Sequence, residues 1–228
     1  MKVRLYENVF PSQWFSHLNK CLRKYSKQTD RIDGAFWYSF KGSPTNLFEQ
    51  LIRYLRKIAR PGSECIGAEW WVHSYASDWK KNFHFDRDEY AYLNTSKWIH
   101  PKFGSIVYVS DSGGPTVILD QRVDPKKGLI PEQAKKGTLI YPKKNQFAIF
   151  AGNLRHGVYP AEFQSKNGSN RITFLINWWH RKPINLFPLT KALPAFIAPL
   201  PKAIDSMSAK DSKLLRVKPI FFKTMTHS

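Results

Sequence analysis

A histidine and an aspartate stand two residues apart in the segment Phe83-His84-Phe85-Asp86. The segment predicts a β-strand over Phe83–Asp86, in which alternate side chains point to the same face. His84 and Asp86 would then be close enough to bind one metal ion. The chain has seven histidines, so a single H-x-D pair is a weak signal until other ligands are found.

A second histidine, His156, opens a later run that predicts a strand over His156–Phe163. Two imidazoles and one carboxylate form the facial ligand set of non-haem Fe(II) sites, which leaves three coordination positions for substrate and dioxygen. Either histidine alone could equally be a core or surface residue. Together the three residues predict an iron site made by His84, Asp86 and His156.

Arg171 begins a run of branched and aromatic residues that predicts a strand over Arg171–Trp179. Burying a guanidinium near the rim or interior of a barrel is costly unless a carboxylate pairs with it. The planar arginine fork binds a carboxylate through two parallel hydrogen bonds. We expect the turn after His156 to return the chain beside the His156 strand, so that Arg171 holds the carboxylate of a ligand. A surface arginine at the start of a strand is the alternative.

The order of these motifs resembles the Fe(II)/2-oxoglutarate-dependent dioxygenases with a double-stranded β-helix, above all their prolyl 4-hydroxylase-like branch. In that branch a tyrosine stands nine residues before the first metal histidine, as Tyr75 does before His84. A Gly-Gly-x-Thr segment follows the metal strand there, and Gly113-Gly114-Pro115-Thr116 matches it. The resemblance covers residues 66 to 180.

The resemblance implies that the three metal ligands bind Fe(II) and carry catalysis. It also implies that 2-oxoglutarate chelates the iron and that Arg171, Tyr75 and Thr116 hold its 5-carboxylate. Dioxygen would be the oxidant, ascorbate a candidate reductant, and succinate and CO2 the released products. The implied reaction is hydroxylation of a protein side chain or a small metabolite, or demethylation where the carbon is an N-methyl.

Mostly short strands must position these residues. Helical spacing of apolar residues predicts one helix from Ser12 and a second from Asn46, ended by Pro61-Gly62. From Ile66 onward, about eight short β-rich runs between turn residues are typical of an antiparallel barrel or jelly roll. The predicted fold class is therefore mainly β (α+β), with a double-stranded β-helix (jelly-roll or cupin-like) core and N-terminal supporting helices.

The predicted organisation is a single domain in three parts. Residues 1–65 form a supporting region of helices and a strand, 66–182 the dioxygenase core, and 183–228 a proline-rich basic arm. Loops commonly carry specificity, so we expect the choice of primary substrate to reside in segments such as Tyr90–Phe103 and Asp120–Ala134.

Composition excludes several classes of protein. No run approaches the roughly 18 apolar residues of a membrane-spanning helix, and the first residues lack the apolar stretch of a secretory signal. The only two cysteines, Cys21 and Cys65, are too few for a disulfide framework and predict a reducing intracellular compartment, the cytoplasm. A formal net charge of +19 favours contact with polyanions through a basic surface.

Other functions remain open at this point. The same iron chemistry could act on nucleic acid or another polyanion, which the net charge favours. The chain could instead be a non-catalytic basic binding module on this fold, although the complete ligand set and Arg171 disfavour that. A hydrolytic zinc site would use the same metal ligands but would give Arg171, Thr116 and Tyr75 no common role.

Overall fold

Short alternating runs form two antiparallel sheets in the computed structural model, which describes residues 3–26, 34–76, 80–160, 170–184, 186 and 212–222. Three helices accompany them: α1 (Ser12–Ser26), α2 (Leu47–Ala59) and α3 (Glu89–Thr95). The strands, in chain order, are β1 (Arg4–Glu7), β2 (Phe36–Ser39), β3 (Gly67–Tyr75), β4 (Lys81–His84), β5 (Phe103–Tyr108), β6 (Thr116–Leu119), β7 (Arg122–Asp124), β8 (Gly128–Ile130), β9 (Lys136–Ile140), β10 (Gln146–Ala151), β11 (His156–Val158), β12 (Arg171–Trp179), β13 (Lys213–Leu215) and β14 (Ile220–Phe221).

The strand order identifies the architecture. The larger sheet runs β13-β1-β10-β5-β12-β3-β2, the smaller one β14-β9-β6-β11-β4, and β7 and β8 form a separate hairpin. The eight core strands are β3, β4, β5, β6, β9, β10, β11 and β12. Along the chain they alternate between the larger and the smaller sheet, except that β6 and β9 follow each other in the smaller one. This alternation is the winding of a double-stranded β-helix. The predicted fold class is confirmed.

The N-terminal helices cover the larger sheet through a shared apolar core. Phe48 of α2 stacks on Trp70 of β3 with 5.0 Å between ring centroids, and it meets Phe174 of β12 edge-on at 5.1 Å. Helix α2 begins where predicted, because the Asn46 side chain accepts a hydrogen bond of 3.1 Å from the Glu49 backbone N–H. Helix α2 therefore packs against β3 and β12, two strands that pair with each other and contribute to the site.

Two sequence-based expectations about the site strands were wrong. Strand β4 ends at His84, so Asp86 lies beyond the strand that was predicted to contain it. Strand β12 does not lie beside β11, because β11 pairs with β4 and β6 while β12 pairs with β3 and β5 in the other sheet. The connection after Val158 is long enough to cross the ~10 Å between packed sheets, so it need not form a tight hairpin. The predicted continuation of β11 over 161–163 lies outside the described residues.

The two segments expected to be loops contain regular structure. Tyr90–Phe103 includes most of α3, whose N-cap Asp88 is buried and accepts a 3.0 Å hydrogen bond from the Ala91 backbone N–H. Asp120–Ala134 includes the β7–β8 hairpin. Whether these segments select the substrate stays a prediction, as does the three-part division at residues 65 and 182. Residues 185, 187–211 and 223–228 of the predicted arm lie outside the described residues.

Two further observations concern the predictions about disulfides and membrane-spanning helices. Cys21 and Cys65 are not joined by a disulfide bond. Among the described residues, no helix has the length and apolar character needed to cross a membrane.

Candidate active site

The three predicted metal ligands come together in the structure. His84 and His156 face each other in the β4–β11 register, with 4.5 Å between ring centroids. Asp86 places Oδ1 3.8 Å from His84 Nε2 and Oδ2 3.6 Å from His156 Nε2. Asp86 is held beyond the strand end by His100, whose Nδ1 donates a 2.7 Å hydrogen bond to the Asp86 carbonyl. One ligand atom from each of the three residues lies within 4.8 Å of the others, so they can surround a single ion.

Both histidines present the nitrogen that a metal needs. Nδ1 of His84 donates to the Asn82 carbonyl at 2.9 Å, and Nδ1 of His156 donates to the Leu154 carbonyl at 3.0 Å. These bonds leave each Nε2 as the lone-pair atom. Burial, followed by the charge of His156, lowers the pKa of His84 below its usual value. Since only neutral imidazole binds a metal, the pKa shift of His84 favours its ligand form.

Arg171 is a buried cation that has no carboxylate partner among the described residues. Its side chain is only 3% exposed, and Nη2 donates a 2.9 Å hydrogen bond to Thr116 Oγ1. Its Nε has no hydrogen-bond partner, and no ion pair of the described residues includes it. Burial lowers the pKa of Arg171, which reflects the cost of leaving the charge uncompensated. The arrangement suits an anionic ligand.

The hydroxyl group of Thr116 offers a further hydrogen-bond donor to an anionic ligand. Its Oγ1 accepts from Arg171 and also from the Tyr108 hydroxyl, at 2.8 Å. A hydroxyl oxygen has two acceptor positions, so the Thr116 hydrogen is left to donate elsewhere. Tyr75 lies directly opposite Arg171 in the β3–β12 register and lines the same cavity. The three residues that the resemblance implies for carboxylate binding are thus neighbours.

One cavity of about 340 Å³ joins the metal ligands to Arg171. That volume lies in the range of small-molecule sites. Two strands of the larger sheet supply much of its wall through alternate residues. These residues are Glu69, Trp71, His73 and Tyr75 of β3, and Arg171, Thr173, Leu175 and Asn177 of β12.

His73 lines the cavity, and its contacts define its protonation state. Trp71 Nε1 donates a 3.1 Å hydrogen bond to His73 Nε2, which must therefore carry a lone pair. Burial, with the charges of Lys81 and Arg171, lowers the pKa of His73 to about 3. His73 is therefore a neutral acceptor and not a proton donor near neutral pH.

Sequence reasoning missed two residues of the cavity region. Tyr108 shares the hydroxyl of Thr116 with Arg171, and its ring lies 5.6 Å from the Arg171 guanidinium carbon. Glu69 lines the cavity, and burial, together with the charge of Asp86, raises its pKa to about 7 against opposing hydrogen bonds. Period-two alternation with Tyr75 was the available signal for Glu69.

No protein-family model and no curated protein matches the chain. Similar solved structures include a Pseudomonas putida prolyl-4-hydroxylase, at 12% identity over 79% of this chain and 88% of that one, with a TM-score of 0.48. HygX from Streptomyces hygroscopicus, with nickel and 2-oxoglutarate bound, is 12% identical over 78% and 82%, with a TM-score of 0.48. A viral collagen prolyl hydroxylase from Paramecium Bursaria Chlorella virus-1 is 14% identical over 78% and 88%, with a TM-score of 0.43.

Proposed function

We propose that the chain is an Fe(II)- and 2-oxoglutarate-dependent dioxygenase that hydroxylates a protein side chain or a small metabolite. The observation that carries the proposal is one cavity with a two-histidine, one-carboxylate cluster on one sheet and a buried, uncompensated arginine on the other. A hydrolytic metal site would need the first feature alone. The pairing of both features supports a metal that is used together with an anionic cosubstrate.

The donor set fits iron. His84, Asp86 and His156 supply two neutral nitrogens and one carboxylate oxygen, which leaves open positions on a six-coordinate ion. Fe(II) and 2-oxoglutarate supply an oxidation in which dioxygen gives one oxygen atom to succinate, with release of CO2, and one to a substrate C–H bond. The charge of Asp86 offsets part of the charge of the ion, and the two Nδ1–H bonds fix the imidazole orientations.

The other residues bind and orient the cosubstrate. Arg171 provides the counter-ion for its 5-carboxylate, and Thr116 donates its remaining hydroxyl hydrogen to the same group. Tyr75, opposite Arg171, completes this end of the cavity. Because these residues are held by buried strands, the carboxylate is bound at a fixed place and the rest of the molecule is directed along the cavity.

The proposal is tested by anaerobic titration of the protein with Fe(II) and then with 2-oxoglutarate. We expect the weak visible charge-transfer absorption of an iron–2-oxoacid chelate in the wild type. We expect no such absorption in His84→Ala, because a metal ligand is lost. His180→Ala, which removes an exposed histidine outside the cluster, is the matched control and should behave as the wild type. A folded, iron-loaded wild type without the absorption would overturn the cosubstrate assignment.

The first glycine of the Gly-Gly-x-Thr motif allows a sharper test of the role of Arg171 in 2-oxoglutarate binding. Gly113 has φ of +89°, and a Cβ built there would lie 2.6 Å from Arg171 Cδ. We expect Gly113→Ala to displace Arg171 and to weaken 2-oxoglutarate binding by about ten-fold or more, while Fe(II) binding is unchanged. Binding is measured through the same absorption.

The matched control for Gly113→Ala is Gly128→Ala. Gly128 also has a positive φ, +77°, but a Cβ there meets nothing within 4 Å. The Gly128→Ala variant therefore has the same kind of backbone strain as Gly113→Ala but makes no contact with Arg171. Equal 2-oxoglutarate affinities of the two variants would contradict the role given to Gly113.

A second candidate function is the same chemistry on a polyanion such as single-stranded nucleic acid. It is favoured by a groove next to His84 that includes Lys80, Lys81 and Arg155 together with the aromatic ring of Phe83. Binding to such a groove would weaken steeply with salt concentration. Fluorescence anisotropy with a labelled oligothymidine tests it, and binding that is equal in Lys80→Glu and the wild type would argue against it.

A further inference from the structure

The β3–β12 ladder gives the cavity two chemically different ends. Tyr75 and Arg171 are paired at one end, and Glu69 and Asn177 are paired at the other. The two pairs are six positions apart along β12, which is about 20 Å in an extended strand. The proposed cosubstrate carboxylate occupies the Arg171 end. The Glu69 end is therefore available for a different ligand.

The Glu69 end also lies close to the metal site. Gly104 of β5 is directly opposite Asn177 in the ladder. A Cβ built at Gly104 would lie 3.4 Å from Oδ2 of the metal ligand Asp86. A group bound at Glu69 and Asn177 would thus be anchored beside the ion, as a primary substrate must be.

Hydrogen bonding leaves acceptor atoms at this end. Glu69 Oε2 accepts from Trp179 Nε1 at 2.9 Å and from Asn177 Nδ2 at 3.3 Å. No hydrogen bond of the described residues uses Glu69 Oε1 or Asn177 Oδ1, and both side chains line the cavity. Two oxygen acceptors without protein donors select a ligand that carries N–H or O–H groups.

The charges at this end favour a cation among such ligands. Asp86 and Asp88 add negative potential at Glu69, and within the described part of the chain no lysine or arginine forms an ion pair with it. A partly buried carboxylate without a cation is costly, and a positively charged ligand removes that cost. The indole of Trp71, the next residue of β3 on this face, adds an aromatic surface of the kind that binds cations.

We propose that the Glu69–Asn177 end of the cavity binds a positively charged nitrogen group, an ammonium or a guanidinium, of the primary substrate. The assignment to the primary substrate rests on the proposed function, whereas the binding of the cation does not. Glu69 and Asn177 would act as specificity residues that hold the nitrogen group. The carbon chain attached to that group would then extend from Glu69 toward Asp86 and the metal.

The test is an NMR titration of the metal-free protein with n-butylammonium chloride at pH 8 and constant ionic strength. The reporter is the Trp179 indole N–H resonance, because that N–H donates directly to Glu69. An alkylammonium stays protonated at this pH, since its pKa is about 10 like that of lysine. We expect a saturable shift, with affinity about ten-fold higher than for 1-butanol, the uncharged ligand of similar size.

Matched variants separate recognition from folding. In Glu69→Gln the amide oxygen can keep the bonds from Trp179 and Asn177, and its NH2 replaces the free acceptor by a donor. We expect this variant to bind n-butylammonium at least about ten-fold more weakly. Glu132→Gln removes an exposed carboxylate elsewhere and should bind as the wild type does. A native-like indole spectrum of Glu69→Gln verifies that it is folded.

The outcomes distinguish this inference from the proposed function. Equal affinities of the wild type and Glu69→Gln, or equal affinities for n-butylammonium and 1-butanol, would overturn the cation site. The iron–2-oxoglutarate absorption, measured separately, would still support or refute the oxygenase assignment. Binding of the cation without that absorption would support the cation site and contradict only the proposed reaction.

Discussion

Replacing Arg171 by glutamine is expected to weaken 2-oxoglutarate binding by about 100-fold, because a buried charged hydrogen-bonding partner of the carboxylate is lost. Fe(II) binding should be unchanged, since Arg171 is not one of the three metal ligands. The metal-free variant should be at least as stable as the wild type. The reason is that the guanidinium is buried without a carboxylate, so its removal also removes a desolvation cost.

The measurement is anaerobic 2-oxoglutarate titration of the iron-loaded protein, together with urea unfolding of the metal-free form. Arg122→Gln, which removes an exposed arginine of β7, is the control for the change of net charge. A variant at position 171 that binds 2-oxoglutarate like the wild type would show that the carboxylate is held elsewhere. A large loss of stability would instead mean that Arg171 is mainly structural.

Glu69→Gln is expected to stabilise the metal-free protein by up to about 3 kcal/mol at pH 8 and by nothing near pH 4. The pKa of Glu69 is raised from 4.5 to about 7, mainly by burial. Below pH 4.5 the carboxyl is protonated in both the folded and the unfolded chain. As the pH rises from 4.5 to 7, the unfolded chain loses this proton first, so the wild type becomes easier to unfold while the glutamine variant does not.

Urea unfolding of both proteins between pH 4 and pH 8 measures this difference and cancels the titration of the groups that do not interact with Glu69. Glu132→Gln, which removes an exposed carboxylate elsewhere, is the control for the change of net charge. A constant difference between Glu69→Gln and the wild type would contradict the raised pKa. It would leave the cation site open to its own test, because that site is inferred from geometry and hydrogen bonding.

The residues with distinctive chemistry were accessible from the sequence. His84, Asp86 and His156 could be selected because few residue types bind metals, and Arg171 because a charge at the start of an apolar strand needs an explanation. The structure brings these four residues to one cavity. Their roles as metal and cosubstrate ligands remain predictions that the experiments above address.

Features that depend on pairing between distant segments could not be predicted. The position of Asp86 depends on a hydrogen bond from His100, and the environment of Glu69 depends on Trp179, which is 110 residues away in sequence. Alternation predicts which face of a strand a residue occupies but not which strand lies opposite. Strand β1, Arg4–Glu7, has only four residues and one buried side chain, too few for a periodic signal.

The last two described strands, β13 and β14, each form one edge of a sheet. β13 pairs with β1 and β14 pairs with β9, so residues 212–222 cover one outer strand of each sheet. What remains at those margins is a three-residue and a two-residue strand, and the first begins at Lys213. Short edge strands offer few unpaired backbone groups for the edge-to-edge joining through which β proteins aggregate. Residues 212–222 therefore shorten the unpaired backbone edge that each sheet offers to another chain on this side.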